Sequence, residues 1–115
     1  MYEQITQQIR DAVYSKALNP GDALPSLRQL AKDLQVSMIT TTRAYNDLAA
    51  EGLIVNQPGR GSFVLALDEE LVQSELRARM IFEAQQLSGT AHLAGFTLQD
   101  TISAVADAFQ EQENR

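Results

Sequence analysis

Apolar residues recur at steps of three and four through the first fifty positions, which predicts three helices. A first helix is predicted over residues 2–17. A second begins after Ser26, which is placed to cap it with Gln29 as its capping-box partner. A third is capped by Ser37 and extends to about Ala50. Its predicted buried face consists of Thr41, Ala44, Tyr45 and Leu48.

The pattern changes to β-favouring residues after the third helix. Residues 53–55 and 62–65 are short runs of this kind, and the sequence Pro-Gly-Arg-Gly at 58–61 separates them. A β-hairpin is therefore predicted. Helical spacing returns from Asp68 to about Ser88, and the sequence Ser-Gly-Thr at 88–90 is expected to end that helix. A last helix is predicted after Thr97, with Asp100 completing its cap, and it carries Leu98, Ile102, Val105 and Phe109.

The order helix, helix, short turn, helix and hairpin is typical of a winged helix-turn-helix. In this fold the third helix enters the major groove of DNA, and the hairpin contacts the backbone or the minor groove. The predicted fold class is mainly α with a small β-hairpin. Residues 1–66 would form the winged helix-turn-helix DNA-binding domain, and residues 67–115 a short two-helix C-terminal region.

The charge distribution supports this division. The net charge is −6, yet residues 1–66 carry six basic and six acidic side chains and are neutral. Residues 67–115 hold three arginines against nine carboxylates. Because the excess negative charge lies in the second part, the first part is free to approach phosphate.

Composition excludes several other classes. The 115 residues contain no Cys, so disulfides, thiolate metal sites and a Cys nucleophile are excluded. No apolar run approaches the roughly 18 residues of a membrane span, and the N-terminus lacks a signal-peptide pattern, so a cytoplasmic protein is expected. His92 is the only histidine and has no ligand or catalytic partner at suitable spacing. We therefore expect no enzyme, no metal and no cofactor.

Local motifs identify the family that this sequence resembles. The chain resembles the GntR family of bacterial transcription regulators over residues 2–65. The resemblance depends on Leu48 and on five segments: Leu-Pro-Ser-Leu-Arg-Gln-Leu-Ala at 24–31, Val-Ser at 36–37, Arg-Ala-Tyr at 43–45, Glu-Gly-Leu-Ile at 51–54 and Gly-Arg-Gly-Ser-Phe-Val at 59–64. The short C-terminal region is similar to that of the small YtrA-type subfamily, and this likeness implies dimerisation. It also implies a double-stranded DNA operator and a repressor that controls a transporter operon.

Candidate DNA contacts lie on both helices of the helix-turn-helix and on the hairpin. Ser26 and Ser37 stand at helix N-termini, where a phosphate is favoured, and plain capping is equally compatible with both residues. Arg28 is a DNA-contacting position by resemblance. Arg43, the principal candidate, is able to grip a guanine or a phosphate. The full predicted set is Ser26, Arg28, Ser37, Met38, Thr40, Arg43, Arg60 and Gly61.

Two positions depart from the pattern of the resembled family. Many members have arginines where this chain has Met38 and Thr42. Met38 either packs on a thymine methyl group or is an ordinary surface residue.

Arg60 stands between Gly59 and Gly61, and glycine permits positive φ and a close approach to the DNA backbone. A tight turn with an exposed arginine is the alternative.

The apolar stripe of the fourth helix is too long for the small winged domain to cover. A second copy of the chain would cover it, and packing between the two C-terminal helices is the alternative. The predicted dimer contacts are Leu71, Val72, Leu76, Met80, Leu87, Ile102, Val105 and Phe109. An unidentified small-molecule effector would use the apolar surface of Met80, Phe82 and Phe96.

The sequence therefore predicts a homodimeric repressor that binds a palindromic operator and blocks transcription sterically. The alternative is a protein–protein interaction module that has lost DNA binding, which the two missing arginines favour. The three remaining arginines at contact positions, Arg28, Arg43 and Arg60, favour the regulator.

Overall fold

The computed structural model describes residues 1–114 and confirms the predicted fold class. The elements, in chain order, are α1 (Tyr2–Tyr14), α2 (Leu27–Leu34), α3 (Met38–Ala50), β1 (Ile54–Gln57), β2 (Gly61–Val64), α4 (Glu69–Ala94) and α5 (Leu98–Glu113). The chain divides into two compact units, Met1–Val72 and the residues from Gln73 onward. Among residues 1–114, no helix is long and apolar enough to cross a membrane.

Helix α3 is the centre of the first unit. The predicted buried face is confirmed, since Thr41, Ala44, Tyr45 and Leu48 are each at most 1% exposed. Both α1 and α2 pack against this helix. The surrounding core cluster consists of Val13, Leu24, Tyr45, Leu48, Leu53, Ile54 and Val64. Burial of this cluster stabilises the unit because it removes apolar surface from water.

Two buried hydroxyl groups tie α3 to the start of α2. The Tyr45 hydroxyl donates a hydrogen bond to the Pro25 carbonyl oxygen at 2.7 Å. The Thr41 hydroxyl lies 3.1 Å from the carbonyl oxygen of Leu27 and 3.2 Å from that of Met38. Burial also raises the pKa of Tyr45 to about 12. These bonds fix the angle between the two helices of the helix-turn-helix.

The hairpin is anchored to the loop that follows α1. Strands β1 and β2 pair antiparallel from Ile54 opposite Val64 to Gln57 opposite Gly61. On the other edge of β2, the backbone N–H of Gly21 donates to the carbonyl oxygen of Val64 at 2.8 Å, and that of Leu24 donates to Ser62 at 2.9 Å. The base of the hairpin is thereby held in the core, and its tip extends beyond the paired strands.

Helix α4 is longer than the sequence pattern predicted. The expected end at residues 88–90 is wrong, because the helix continues through Gly89 to Ala94. One glycine inside a helix costs only about 1 kcal/mol relative to alanine, which the remaining turns offset. The helix ends instead at Gly95, whose φ of +72° suits glycine. There the Phe96 N–H donates to the Ala91 carbonyl oxygen at 2.9 Å.

Three other local predictions have clear outcomes. His92 lies in the last turn of α4, beyond the end predicted for that helix, and its Nδ1 is 2.7 Å from the Ser88 carbonyl oxygen. Helix α1 ends at Tyr14, three residues earlier than predicted, and Lys16 follows with a positive φ. The cap of α5 is confirmed, because Thr97 and Asp100 form a reciprocal capping box.

Candidate nucleic-acid interface

Both predicted serine caps are present at the N-termini of the helix-turn-helix. The Ser26 Oγ accepts from the Gln29 backbone N–H at 3.0 Å, and the Ser37 Oγ accepts from the Thr40 N–H at 3.2 Å. The capping box expected at α2 is incomplete. The Gln29 amide donates to Asp33 at 2.8 Å rather than to the backbone of Ser26, because an i,i+4 partner is available on the helix surface. Each serine thus satisfies one helix amide and stays exposed.

The outward surface of α3 forms an open depression of about 500 Å³. Its lining residues are Met38, Ile39, Thr42, Arg43, Asn46 and Asp47. Ile39 is 81% exposed. By contrast, Thr40 is half-buried, and its hydroxyl lies 3.0 Å from that of Ser37. The structure therefore groups Met38 with Arg43 on one surface and places Thr40 at the helix start.

Sequence reasoning missed Ile39 and Asn46 as members of this surface. Both lie opposite the buried side of α3, and they are seven residues apart, which is close to two helical turns. The missed signal was the complement of the buried stripe. Positions 38, 39, 42, 43, 46 and 47, which line the depression, all lie outside the buried stripe of positions 41, 44, 45 and 48.

Arg43 is held in place by the first helix. Its Cζ lies 3.8 Å from the centroid of the Tyr2 ring, and its Nη2 donates to the Tyr2 hydroxyl at 2.9 Å. Stacking of a guanidinium on an aromatic face is favourable. The contact orders the side chain, and Arg43 forms no ion pair among residues 1–114. The sequence pattern assigned Tyr2 only to the apolar stripe of α1, so this contact was not predicted.

Ion pairing separates the basic residues of the first unit into two groups. Arg10 makes hydrogen bonds of 3.0 and 2.8 Å to Glu51, which raise its pKa above the ordinary value, and Lys16 lies 2.6 Å from Glu69. Arg28, Lys32 and Arg60 are exposed and have no ion-pair partner among residues 1–114. Together with Arg43, they leave uncompensated positive charge on α2, α3 and the hairpin.

The hairpin tip presents Arg60 between two glycines. Gly59 and Gly61 have φ values of +77° and +117°, as predicted, and both are positions where a larger residue would be strained. The Arg60 N–H donates to the Gln57 carbonyl oxygen at 2.9 Å, which closes the turn. Arg60 is thus an exposed cation on a tight turn. Because both of its neighbours are glycines, no adjacent side chain covers the backbone beside it.

Most of the side chains predicted to form the dimer interface and the effector surface are exposed. Val72 and Leu76 are half-buried, whereas Leu71, Met80, Leu87, Ile102, Val105 and Phe109 are exposed. Phe82 and Phe96, assigned with Met80 to an effector, are exposed as well. Over residues 1–114, no group of three or more His, Cys, Asp or Glu side chains is arranged to hold a metal ion.

The helix-turn-helix, its exposed α3 surface and the adjoining hairpin define a winged helix-turn-helix DNA-binding domain. Residues 1–64 match the profile of the bacterial regulatory proteins of the gntR family, and the chain belongs to this family. It is a DNA-binding transcriptional regulator of the GntR type. The resemblance inferred from the motifs is thereby confirmed.

Comparison with known proteins extends the likeness beyond the DNA-binding domain. The chain is 36% identical over 100 residues to the HTH-type transcriptional repressor YtrA of Bacillus subtilis (strain 168), which covers 86% of this chain and 76% of the relative. A GntR family transcriptional regulator from Listeria monocytogenes shares the fold, with a TM-score of 0.73, 23% identity and coverage of 92% of each chain. The DNA-binding domain of AraR, solved in complex with operator ORE1, has a TM-score of 0.53 and 28% identity over 55% of this chain and 77% of that one.

Proposed function

We propose that the protein is a homodimeric repressor that binds a palindromic operator through α3 and the hairpin. The observation that carries the proposal is the exposed outward surface of α3, together with Arg28, Arg43 and Arg60, which form no ion pair among residues 1–114. The AraR domain, which has a similar fold, was solved on an operator, and the YtrA relative is named as a repressor. Both features support binding to duplex DNA and a negative effect on transcription.

The contacts divide by chemistry. Ser26 and Ser37 would bind phosphates at the N-termini of α2 and α3, where backbone amides and the helix dipole favour an anion. Arg28 would bind the backbone from α2. Arg60 and Gly61 would contact the backbone or the minor groove from the hairpin tip. Met38, Thr40 and Arg43 would lie near base edges or phosphates in the major groove.

Dimerisation is supported by the exposed apolar side chains of α4 and α5. Their burial against a second copy would remove apolar surface from water at roughly 25 cal/mol per Å². A two-fold dimer presents two identical α3 helices, which matches the symmetry of a palindrome. Bound at a promoter, such a dimer excludes RNA polymerase. Control of a transporter operon and an effector at the apolar surface of Met80, Phe82 and Phe96 stay predictions from the sequence.

A mobility-shift titration against the DNA upstream of the protein's own reading frame tests the proposal, with random duplex as competitor and salt varied. We expect a specific complex whose affinity falls steeply with salt, with a log–log slope of about −0.9 for each phosphate neutralised. Arg43→Ala should cost about 1–3 kcal/mol if the side chain binds a guanine. A loss that is equal on every sequence indicates a phosphate contact.

Arg77→Ala is the matched control, since Arg77 is exposed on α4 and outside the proposed contacts. It should leave the affinity unchanged. Equal binding to specific and random duplex would contradict the proposal. It would favour the interaction module, particularly if a protein partner were retained.

A further inference from the structure

The exposed α3 surface carries one cation, Arg43, and one carboxylate, Asp47. Ile39 and Asn46 lie there with Thr42, and all three side chains are uncharged. Arg43, the cation of this depression, is drawn towards α1 by its stacking on Tyr2. The uncharged chemistry available on this surface is therefore an aliphatic group, a 1-hydroxyethyl group and a carboxamide.

This set of groups matches one kind of base pair in the major groove. Guanine is typically recognised through its O6 and N7 by arginine or lysine. Adenine is recognised through N6 and N7 by asparagine or glutamine, and the thymine methyl group by an apolar side chain. Asn46 and Ile39 have the groups for the adenine and thymine contacts. Arg43, the residue of this surface suited to guanine, is held against Tyr2.

The side chains of Ile39 and Asn46 are both accessible for contacts with bases. Ile39 is 81% exposed, so its aliphatic surface is in contact with water in the free protein. Asn46 is exposed, and its carboxamide has no hydrogen-bond partner among residues 1–114. A free carboxamide offers one acceptor and two donors on the same plane, which is what bidentate pairing with adenine requires.

We propose that Ile39 and Asn46 determine operator sequence by recognising A·T base pairs, with Ile39 packed on a thymine methyl group and Asn46 paired to adenine N6 and N7. The assignment rests on the proposed function, because it needs α3 in the major groove. The two residues are seven positions apart, about 10 Å along the helix, so they address different base pairs. Each operator half-site then contains A·T pairs at two separate positions.

The test uses the full-length protein and a duplex that it selects from a pool randomised over the binding region. In that duplex each thymine is replaced singly by deoxyuridine, which lacks the methyl group, and each adenine singly by 7-deazaadenine, which lacks N7. Affinities are measured for the wild type, Ile39→Ala and Asn46→Ala. Leu93→Ala and Gln8→Ala are matched controls at exposed positions outside the α3 surface.

We expect one deoxyuridine position to weaken wild-type binding about fourfold, the value for one buried methyl group, and to have no effect on Ile39→Ala. One 7-deazaadenine position should weaken wild-type binding about tenfold and have no effect on Asn46→Ala. Thermal unfolding of both variants should match the wild type, because both positions are exposed and alanine is the better helix former.

Two different failures are distinguishable. In the first, the protein binds its duplex specifically, but every base analogue weakens the binding of Ile39→Ala and Asn46→Ala as much as that of the wild type. This result would overturn the roles of Ile39 and Asn46 and leave the proposed regulator function intact. Selection that enriches no duplex would overturn the proposed function, and the assignment of Ile39 and Asn46 would fall with it.

Discussion

Helices α3 and α5 have similar lengths, 13 and 16 residues, but their apolar stripes have opposite environments. In α3 four residues are at most 1% exposed, since α1, α2 and the hairpin surround the helix. No residue of α5 is buried, and Ala91 is the one buried side chain from residue 73 to residue 114. An apolar stripe thus predicts that a surface needs a partner, and it does not specify which surface provides it.

The two units consequently differ in what holds them together. The first unit has its own core and a satisfied set of buried hydroxyl groups. The second, over residues 73–114, has exposed apolar side chains and one buried residue, Ala91. We infer that the first unit is stable by itself and that the second acquires its stability through association.

Truncation of a core leucine should have the largest effect. Leu48→Ala is expected to lower the free energy of unfolding by about 2–5 kcal/mol, since the residue is fully buried and a cavity results. Leu93→Ala, at a position 91% exposed, should change it by less than about 0.5 kcal/mol. Chemical denaturation measures both. If both variants lowered the free energy of unfolding by similar amounts, the contrast between a buried core in the first unit and exposed apolar side chains in the second would be contradicted.

Alkaline titration should weaken the first unit through Tyr45. Its pKa is about 12 in the folded chain against an ordinary value of 10, so the folded state favours the neutral phenol. The associated stability is present below pH 10 and is lost as pH rises through 12, by about 2–3 kcal/mol. Tyr45→Phe should abolish this part of the pH dependence. If Tyr45→Phe retained it, the alkaline loss would belong to other groups.

A charge on the proposed dimer surface should weaken association. Phe109→Asp is expected to reduce dimer affinity about thirtyfold, or about 2 kcal/mol, because a carboxylate would be buried without a partner. Sedimentation equilibrium measures the change. Leu93→Asp is the matched control, since Leu93 is exposed and outside the proposed contacts. An unchanged association constant for Phe109→Asp would place the contact surface elsewhere.

The smallest effect is expected where α1 holds Arg43. Tyr2→Phe keeps the ring and removes the 2.9 Å hydrogen bond to Arg43, so operator affinity should fall by about 0.5–1 kcal/mol. Mobility shift in the wild-type and Arg43→Ala backgrounds isolates this pair. The loss should vanish when Arg43 is absent. Its persistence would mean that Tyr2 acts independently of Arg43.

Local patterns were sufficient to predict most of the first unit. The buried face of α3, the serine caps and the glycine turn of the hairpin each depend on residues within a few positions of one another. Periodicity and cap chemistry report such relations directly. The end of α4 was misplaced because a glycine both interrupts and terminates helices, and the stronger signal at Gly95 lies six residues beyond Gly89.

Long-range contacts limited the prediction of the site. The stacking of Arg43 on Tyr2 joins residues 41 positions apart, and it depends on how α1 packs against α3. Charge and the motifs of the resembled family do not mark Ile39 and Asn46, which are uncharged and lie outside those motifs. Their exposure, which makes them candidates, follows only once the buried side of the helix is fixed.

Sedimentation equilibrium of the full-length protein, free and bound to its selected duplex, tests the proposed dimer most directly. We expect the mass of two chains at micromolar concentration and two chains on each duplex. One chain in solution and one chain on the duplex would contradict it, because the exposed apolar side chains of α4 and α5 would then have no second copy to cover them.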